Sequence, residues 1–285
     1  MSRSKRKKTR HFVRQQPRKP IDLPPFDKYW HYMESVQAPE VDAEFFEKVY
    51  RRIHQLEPKV LQEDFCGTHA VCCEWVKRHE SYRAVGVDID PEPIQYGAEH
   101  YQSQLQQDQC DRIQIVEGDV LQHTHSVSAD IVVALNFSYF CFKERSILKN
   151  YFTKTYERLA PRGLFFMDCF GGSKCSEPNE EETEHADLKF SYFWDQKQFD
   201  PINNASQFAI HFKRYGEDKR EDVFTYNWRM WSIAELRDLL EEVGFKRVHV
   251  YWEMHDEDGD GNGEYEPVTQ AEDCEAWVAY VIGEK

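Results

Sequence analysis

One stretch of 18 residues, from position 60 to position 77, constrains the fold of this chain most strongly. It begins as a short apolar run at residues 60–61, passes the carboxylates Glu63 and Asp64, turns through Gly67 and continues at residues 71–77 as a predicted helix. A strand, a tight turn and a helix in this order predict the first third of a βαβ unit. Glycine in the turn lets the backbone pass close to a ligand, and the helix N-terminus presents free N–H groups to it.

Three further segments have the apolar composition of strands that would join the same parallel sheet: residues 85–90, 113–120 and 129–136. The first carries Asp88 near its end, 25 residues after Glu63 (88 − 63), where an acid can accept hydrogen bonds from ribose hydroxyls. The G-x-G-x-x-G fingerprint of dinucleotide binding is absent. The sequence therefore disfavours an NAD-dependent reductase.

Five segments in order resemble the motifs of class I S-adenosylmethionine-dependent methyltransferases: Glu63–Thr68, Gly86–Asp90, Gly118–Val120, Asp130–Asn136 and Leu159–Leu164. The resemblance covers residues 58–170, and residues 231–245 extend it. It implies an α/β fold with a doubly wound, mostly parallel seven-stranded sheet, a β-rich insertion after the fifth strand and an antiparallel C-terminal edge strand. The chain departs from the family at the first turn, where Phe65 and His69 replace two of three usual glycines.

The resemblance also implies S-adenosylmethionine as the cofactor. Backbone at residues 66–68 would face the methionine part of the cofactor, and Glu63 would help to orient its amino group. Asp88 would hold the ribose, while Asp119 would accept from the adenine amino group with Val120 against the ring. The alternative for each acid is a helix cap or a turn. The expected cofactor-binding residues are Glu63, Cys66, Gly67, Thr68, Asp88, Ile89, Asp119, Val120 and Asn136.

The segment after the fourth strand reads Asn-Phe-Ser-Tyr, at residues 136–139. It resembles the Asn-Pro-Pro-Tyr motif of methyltransferases that modify amino groups of nucleic acids, but both prolines are missing, so that substrate is not carried over. Methyl transfer from a sulfonium needs mainly the positioning of two reactants. The sequence assigns no catalytic residue, and Asn136 and Tyr139 are the candidates. The candidates for substrate contact are Tyr29, Tyr139, Tyr192, Trp194 and His211.

Residues 171–230 interrupt the alternation of strands and helices. Segments 189–194, 205–215 and 223–231 are rich in alternating aromatic residues and predict strands, with a hairpin between the last two. We expect this insertion to form the acceptor wall, because it follows the fifth strand at the edge where such sheets bind ligands. The alternative is a sheet extension without a role in binding. The acidic residues 177–184 are predicted to form a loop.

The N-terminal part of the chain divides into a tail and an aromatic segment. Residues 1–20 contain nine Lys or Arg and no acid, which predicts a disordered basic tail before a single methyltransferase domain at residues 21–285. Residues 27–37 predict a short helix that either covers the ligand site or packs on the sheet edge. The cluster at residues 5–8 has three open interpretations: a nuclear signal, a nucleic-acid tether or a solvated tail.

Charge limits the partners that the main body can bind. The whole chain has a net charge of −15; without the tail it holds 27 bases (36 − 9) against 51 acids, or −24. An acidic body repels a phosphate backbone, so nucleic acid is expected to contact only the tail. No apolar run reaches the ~20 residues of a membrane helix. We expect a cytoplasmic protein, or a nuclear one if the tail is a signal.

No metal site is expected. The eight cysteines have no Cys-x-x-Cys spacing and are expected to be reduced thiols, most of them buried. Residues 256–264 imitate the start of a calcium loop, but Pro267 stands where the bidentate glutamate belongs. A flexible acidic loop is the expected structure.

The sequence leaves three functions open. The first is methyl transfer to a small molecule, in a pocket closed by the insertion and the aromatic N-terminal segment. The second is methyl transfer to RNA or protein, with the basic tail as a tether. The third is a relative that binds the cofactor without catalysis.

Overall fold

A computed structural model describes residues 24–122, 128–255, 261–272 and 274–285. The basic tail predicted at residues 1–20 and much of the acidic loop predicted at residues 256–264 lie outside the described residues. None of the helices in these four ranges is long and apolar enough to cross a membrane.

Twelve strands form two separate sheets within the described ranges. In chain order the strands are β1 Val60–Asp64, β2 Arg83–Asp88, β3 Ile113–Glu117, β4 Ala129–Ala134, β5 Leu159–Gly171, β6 Asn179–His185, β7 Phe190–Asp200, β8 Ala205–Arg214, β9 Arg220–Arg229, β10 Arg247–His255, β11 Gly261–Val268 and β12 Trp277–Glu284. The helices are α1 Lys28–Val36, α2 Pro39–His54, α3 Ala70–Arg78, α4 Pro91–His100, α5 Gln107–Cys110, α6 Arg145–Arg158 and α7 Ile233–Val243.

The main sheet confirms the predicted α/β architecture. Its strand order is β11-β10-β12-β5-β4-β1-β2-β3, and the pairs among β1 to β5 are all parallel. Because β1 lies between β2 and β4, the chain leaves this centre in opposite directions on its two sides. A crevice forms at such a switch point, at the carboxyl ends of the strands.

The antiparallel part of the sheet differs in detail from the prediction. There are eight strands where seven were expected, and the C-terminal strand β12 lies between β5 and β10 where an edge strand was expected. Burial explains the arrangement, because Ala279, Val281 and Ile282 of β12 are fully buried. The extra strand β11 is mostly exposed, and its polar sequence with Pro267 is suited to an edge.

Helices cover both faces of the main sheet. On one face, Phe46 of α2 and Trp75 of α3 are fully buried against Leu61 of β1. On the other, Phe152 of α6 and Leu240 of α7 belong to a second core cluster. This burial on both sides explains why the parallel strands are apolar along their length.

The insertion forms its own four-stranded antiparallel sheet, in the order β6-β7-β8-β9. Strands β7, β8 and β9 and the hairpin between β8 and β9 occur where the sequence predicts them. The prediction of an acidic loop at residues 177–184 is wrong, because most of this segment forms β6. This strand pairs with β7 along seven residues, and its acids are tolerated because it is an exposed edge strand.

Candidate active site

The turn after β1 keeps a left-handed backbone at all three positions where the family has glycine. The φ angles are 57° at Phe65, 50° at Gly67 and 45° at His69. Residues other than glycine rarely adopt this left-handed conformation. Residues that do are strained, and they concentrate at functional sites. Phe65 and His69 therefore adopt the backbone conformation that glycine favours.

Both replacement side chains are directed into the protein. The Phe65 ring lies 5.7 Å from the rings of Phe142 and Tyr151, measured between centroids. His69 is fully buried and packs beside Gly97 of α4. A Cβ atom at Gly97 would lie 2.0 Å from the carbonyl oxygen of Thr68, so glycine is required for α4 to approach the turn.

The centre of the turn is open. A Cβ atom at Gly67 would meet nothing within 4 Å, and the N–H of Gly67 donates to the Asp88 carboxylate at 2.7 Å. The other oxygen of Asp88 accepts from the N–H of Asp90 at 2.9 Å. Each carboxylate oxygen can accept a second hydrogen bond, so Asp88 can still bind ribose hydroxyls.

Glu63 and Asp64 have different environments although they are neighbours on β1. Glu63 is buried and accepts from the N–H of Cys72 at 3.0 Å, in the first turn of α3. Burial raises the pKa of Glu63 to about 8. Asp64 points to the opposite face, where its carboxylate lies 2.8 Å from the Arg158 guanidinium. Asp64 is thus a structural residue, while Glu63 remains available to a cationic group at the turn.

The nucleoside end of the predicted site combines an exposed apolar side chain with acids. Ile89, directly after Asp88, is 71% exposed, which leaves a face for a flat ring. Asp119 accepts from the N–H of Leu121 at 2.9 Å, so it also shapes a turn. Val120 is buried beneath it. These residues suit the adenosine part of the cofactor, because they provide one apolar face and hydrogen-bond acceptors at its edge.

The loop after β4 is held by an acid that the sequence analysis missed. Asn136 and Phe137 have φ angles of 53° and 57°, and their N–H groups donate to the two oxygens of Asp168, at 2.7 and 2.9 Å. Burial raises the pKa of Asp168 to about 7. Asp168 lies within β5 and directly follows the apolar residues 164–167, and an acid after an apolar run is also the signal that identified Asp88. The signal was available in the sequence and was not used.

Two of the predicted acceptor residues do not face a cavity. Tyr139 is fully buried, and its hydroxyl donates to the carbonyl oxygen of Asp168 at 2.8 Å. His211 is 1% exposed on the outer face of the insertion; its Nδ1 accepts from the N–H of Asp222 at 2.7 Å, and its Nε2 lies 3.1 Å from Asp195. Both residues are therefore structural.

Side chains of Glu180, His211 and Glu221 also come within 4.8 Å of one another on this outer face. Both ring nitrogens of the histidine already have hydrogen-bond partners in the protein. The cluster is therefore explained as the packing of a buried histidine among acids, with Lys219 close to both glutamates.

A cavity of about 510 Å³ lies between the insertion and the carboxyl end of β5. Tyr192 and Trp194 of β7, two of the predicted substrate contacts, line the cavity. Asn136 also lines it, so the cavity extends to the loop after β4. Tyr226 of β9, on a strand of the predicted acceptor wall, and Tyr32 of the aromatic N-terminal segment line the cavity too. The sequence did not single out other lining residues, among them Gln196, Trp228 and Trp277.

Helix α1 connects the two parts of the site. Its N-cap Asp27 accepts from the Tyr96 hydroxyl at 2.7 Å, and Lys28 pairs with Glu92 at 2.6 Å, both on α4. Tyr29 lies beside the acids of the β2–α4 turn, which together with burial raise the pKa of its phenol well above its usual range. The Tyr29 ring lies 4.8 Å from that of Tyr96 on α4, measured between centroids, and Tyr29 is absent from the lining of the cavity.

Comparisons with known proteins agree with this geometry. Residues 64–167 match the family model described as a methyltransferase domain. Comparison with curated protein sequences gives no match. The matched segment, 104 of the 285 residues (167 − 64 + 1), carries the turn after β1 and the ends of β2, β3 and β4, and it agrees with the resemblance of the chain to the class I S-adenosylmethionine-dependent methyltransferases. The match to a methyltransferase domain indicates that the chain is an enzyme.

Solved structures share the fold at low sequence identity. An S-adenosylmethionine-dependent methyltransferase from Clostridium acetobutylicum has 16% identity and a TM-score of 0.65, over 89% of this chain and 97% of the other. An amino pentose methyltransferase from Micromonospora echinaspora has 12% identity and a TM-score of 0.61, over 92% and 99%. A sugar N-methyltransferase from Streptoalloteichus has 14% identity and a TM-score of 0.59, over 96% and 99%.

Proposed function

We propose that the protein transfers a methyl group from S-adenosylmethionine to a small molecule held in the cavity beneath the insertion. The observation that carries the proposal is the position of this cavity. It is bounded by β7 and β9 on one side and by the loop at Asn136 and Phe137 on the other. That loop follows β4, the neighbour of β1, so an acceptor in the cavity would lie next to the cofactor turn.

The residues around the turn fit the cofactor. Gly67 leaves open space, Asp88 has free acceptor capacity for ribose hydroxyls, and Ile89 offers an apolar face. Glu63 is a buried acid that can hold an ammonium group. When bound, S-adenosylmethionine supplies an activated methyl group on a positive sulfur.

Within this arrangement the protein contributes position and the exclusion of water. Asp168 fixes the backbone of the loop at Asn136 and Phe137, and therefore the edge on which the acceptor would rest. The aromatic walls of the cavity exclude water from the reacting atoms. Orientation of two reactants in this way is a large part of catalysis for displacement at an activated methyl group.

Two of the enzymes that share the fold act, by their descriptions, on a sugar and on an amino pentose. Their acceptors are small, and a cavity of about 510 Å³ in this chain suits a ligand of that size. The alternative is a macromolecular acceptor tethered by the basic residues 1–20. The acidic charge of the remaining chain disfavours nucleic acid on the main body.

Label transfer distinguishes these functions. The full chain and a variant without residues 1–20 are incubated with methyl-labelled S-adenosylmethionine and a cell extract separated by size. The proposal expects both proteins to label the low-mass fraction at equal rates. Label confined to RNA or protein, and lost with the tail, would contradict it.

A further inference from the structure

The walls of the cavity are dominated by aromatic rings on one face of the insertion. Trp194, Tyr226 and Trp228 form a cluster in which ring centroids lie 4.3 to 6.3 Å apart. Tyr32 of α1 and Tyr192 complete this side of the lining. Aromatic walls of this kind attract cations through the negative faces of the rings, and they are used to bind ammonium groups.

The charged residues of the lining have an acidic excess. They are Glu181, Glu253 and Glu275 against Lys174, which gives a formal charge of −2 (1 − 3). Lys174 pairs with Glu275. Among the described residues, Glu181 and Glu253 form no ion pair within 4 Å, and their hydrogen-bond donors are the Asn179 amide and the N–H of Gly263.

Strand register places one of these carboxylates beside the aromatic cluster. Glu181 of β6 pairs directly with Trp194 of β7, and Asn179 pairs with Gln196. Directly paired residues on neighbouring strands point to the same face of a sheet. The carboxylate and the ring can therefore contact the same ligand.

We propose that the cavity selects a cationic amine as the methyl acceptor, recognised by the aromatic cluster and Glu181. This inference rests on the function proposed above for the same cavity. In the reaction the acceptor nitrogen first loses one proton to water. Its lone pair then forms a bond to the methyl carbon, and the carbon–sulfur bond breaks with its electron pair remaining on sulfur. The methylated nitrogen keeps the positive charge that the sulfonium carried.

The test compares two probes of equal shape, choline and 3,3-dimethylbutan-1-ol, which differ in a quaternary nitrogen and a carbon. Their binding to the full chain, saturated with S-adenosylhomocysteine, is followed by tryptophan fluorescence. We expect choline to bind at least about tenfold more tightly, the scale of a desolvated cation–aromatic contact. Equal binding, preference for the alcohol or binding of neither probe would overturn the inference.

A pair of variants tests the named residues. Glu181→Gln should reduce the preference for choline at least about threefold, because a surface carboxylate contributes a modest attraction. Glu182→Gln, the next residue on the same strand, points to the other face and should leave the preference unchanged. Equal effects of the two variants would contradict the role of Glu181.

The two proposals can fail separately. Methyl label in neutral small molecules, without preference for choline, would retain the small-molecule function and overturn the cationic acceptor. A strong preference for choline, with label found only in macromolecules, would retain the cation site and overturn the small-molecule function.

Discussion

Phe65 and His69 occupy backbone conformations that favour glycine, and the surroundings of each side chain explain how. Phe65 packs beside Phe142 and Tyr151, and His69 is fully buried beside α4. A left-handed conformation costs a residue with a side chain roughly 1–2 kcal/mol, which burial of a large ring can offset. Packing of these two side chains therefore supports a turn that has glycine only at Gly67.

The first prediction concerns Asp88. Asp88→Asn should weaken binding of S-adenosylmethionine by on the order of 1–3 kcal/mol, roughly 5- to 150-fold, because a carboxylate acceptor at the ribose site is lost. Titration calorimetry measures the affinity directly. Asp218→Asn, at an exposed turn of the insertion, is the control and should bind as the wild type does. Equal affinities of the two variants would show that the ribose site lies elsewhere.

A second prediction uses the buried acid Glu63. Its pKa in the folded protein is about 8, above the ordinary value of 4.5, so the folded state retains a proton that the unfolded state loses. The bound proton contributes to the free energy of unfolding. This contribution is fully present below pH 4.5 and is lost as pH rises through about 8.

Glu63→Gln cannot titrate and keeps an oxygen that can accept from the N–H of Cys72. Relative to the wild type, the cofactor-free variant should gain on the order of 3 to 4 kcal/mol of unfolding free energy between pH 5 and pH 8. Urea unfolding at both pH values measures the difference. A difference that stays constant with pH would contradict the assigned environment of Glu63.

At the scale of elements, α1 joins the cofactor half to the insertion. Asp27 and Lys28 contact α4, while the ring of His31 lies 4.7 Å from Phe190 and that of Tyr32 lies 5.0 Å from Phe224. The same short helix thus meets both expected ligand sites. The sequence showed its aromatic content but left open whether it covers the site or packs on a sheet edge.

The prediction for α1 compares two truncations. Removal of residues 1–23 should leave thermal stability and methyl transfer unchanged. Removal of residues 1–37 exposes rings of β7, β8 and β9, and should lower the free energy of unfolding by at least about 2 kcal/mol, the scale of one large apolar side chain. Melting curves and label transfer measure both effects. Equal stability and equal methyl transfer of the two truncated proteins would contradict the role of α1 in joining the cofactor half to the insertion.

For the whole molecule, much of the parallel sheet could be predicted, because its strands are mostly apolar and three of them, β1, β2 and β3, end in acids. Local signals in the sequence also mark the ends of α7, because Ser232 and Glu235 form a capping box at its start and the left-handed Gly244 follows its last turn. These features are local, so the sequence encodes them within a few residues.

Features that depend on distant partners escaped prediction. Strand β6 has the composition of a loop and becomes a strand only because β7 offers it a partner. The position of β12 between β5 and β10 depends on pairing with β5, which lies more than a hundred residues earlier in the chain. Tyr139 and His211 have the chemistry of site residues, and only their burial shows that they are structural.

The central claim is that the cofactor lies at the carboxyl ends of β1, β2 and β3, with the acceptor cavity adjacent. Amide hydrogen exchange with and without S-adenosylhomocysteine tests it most directly. We predict slower exchange at residues 64–69, 86–90 and 118–121, and unchanged exchange in the edge strand β11. Protection confined to the insertion strands β6 to β9, or protection at none of these turns, would contradict the account.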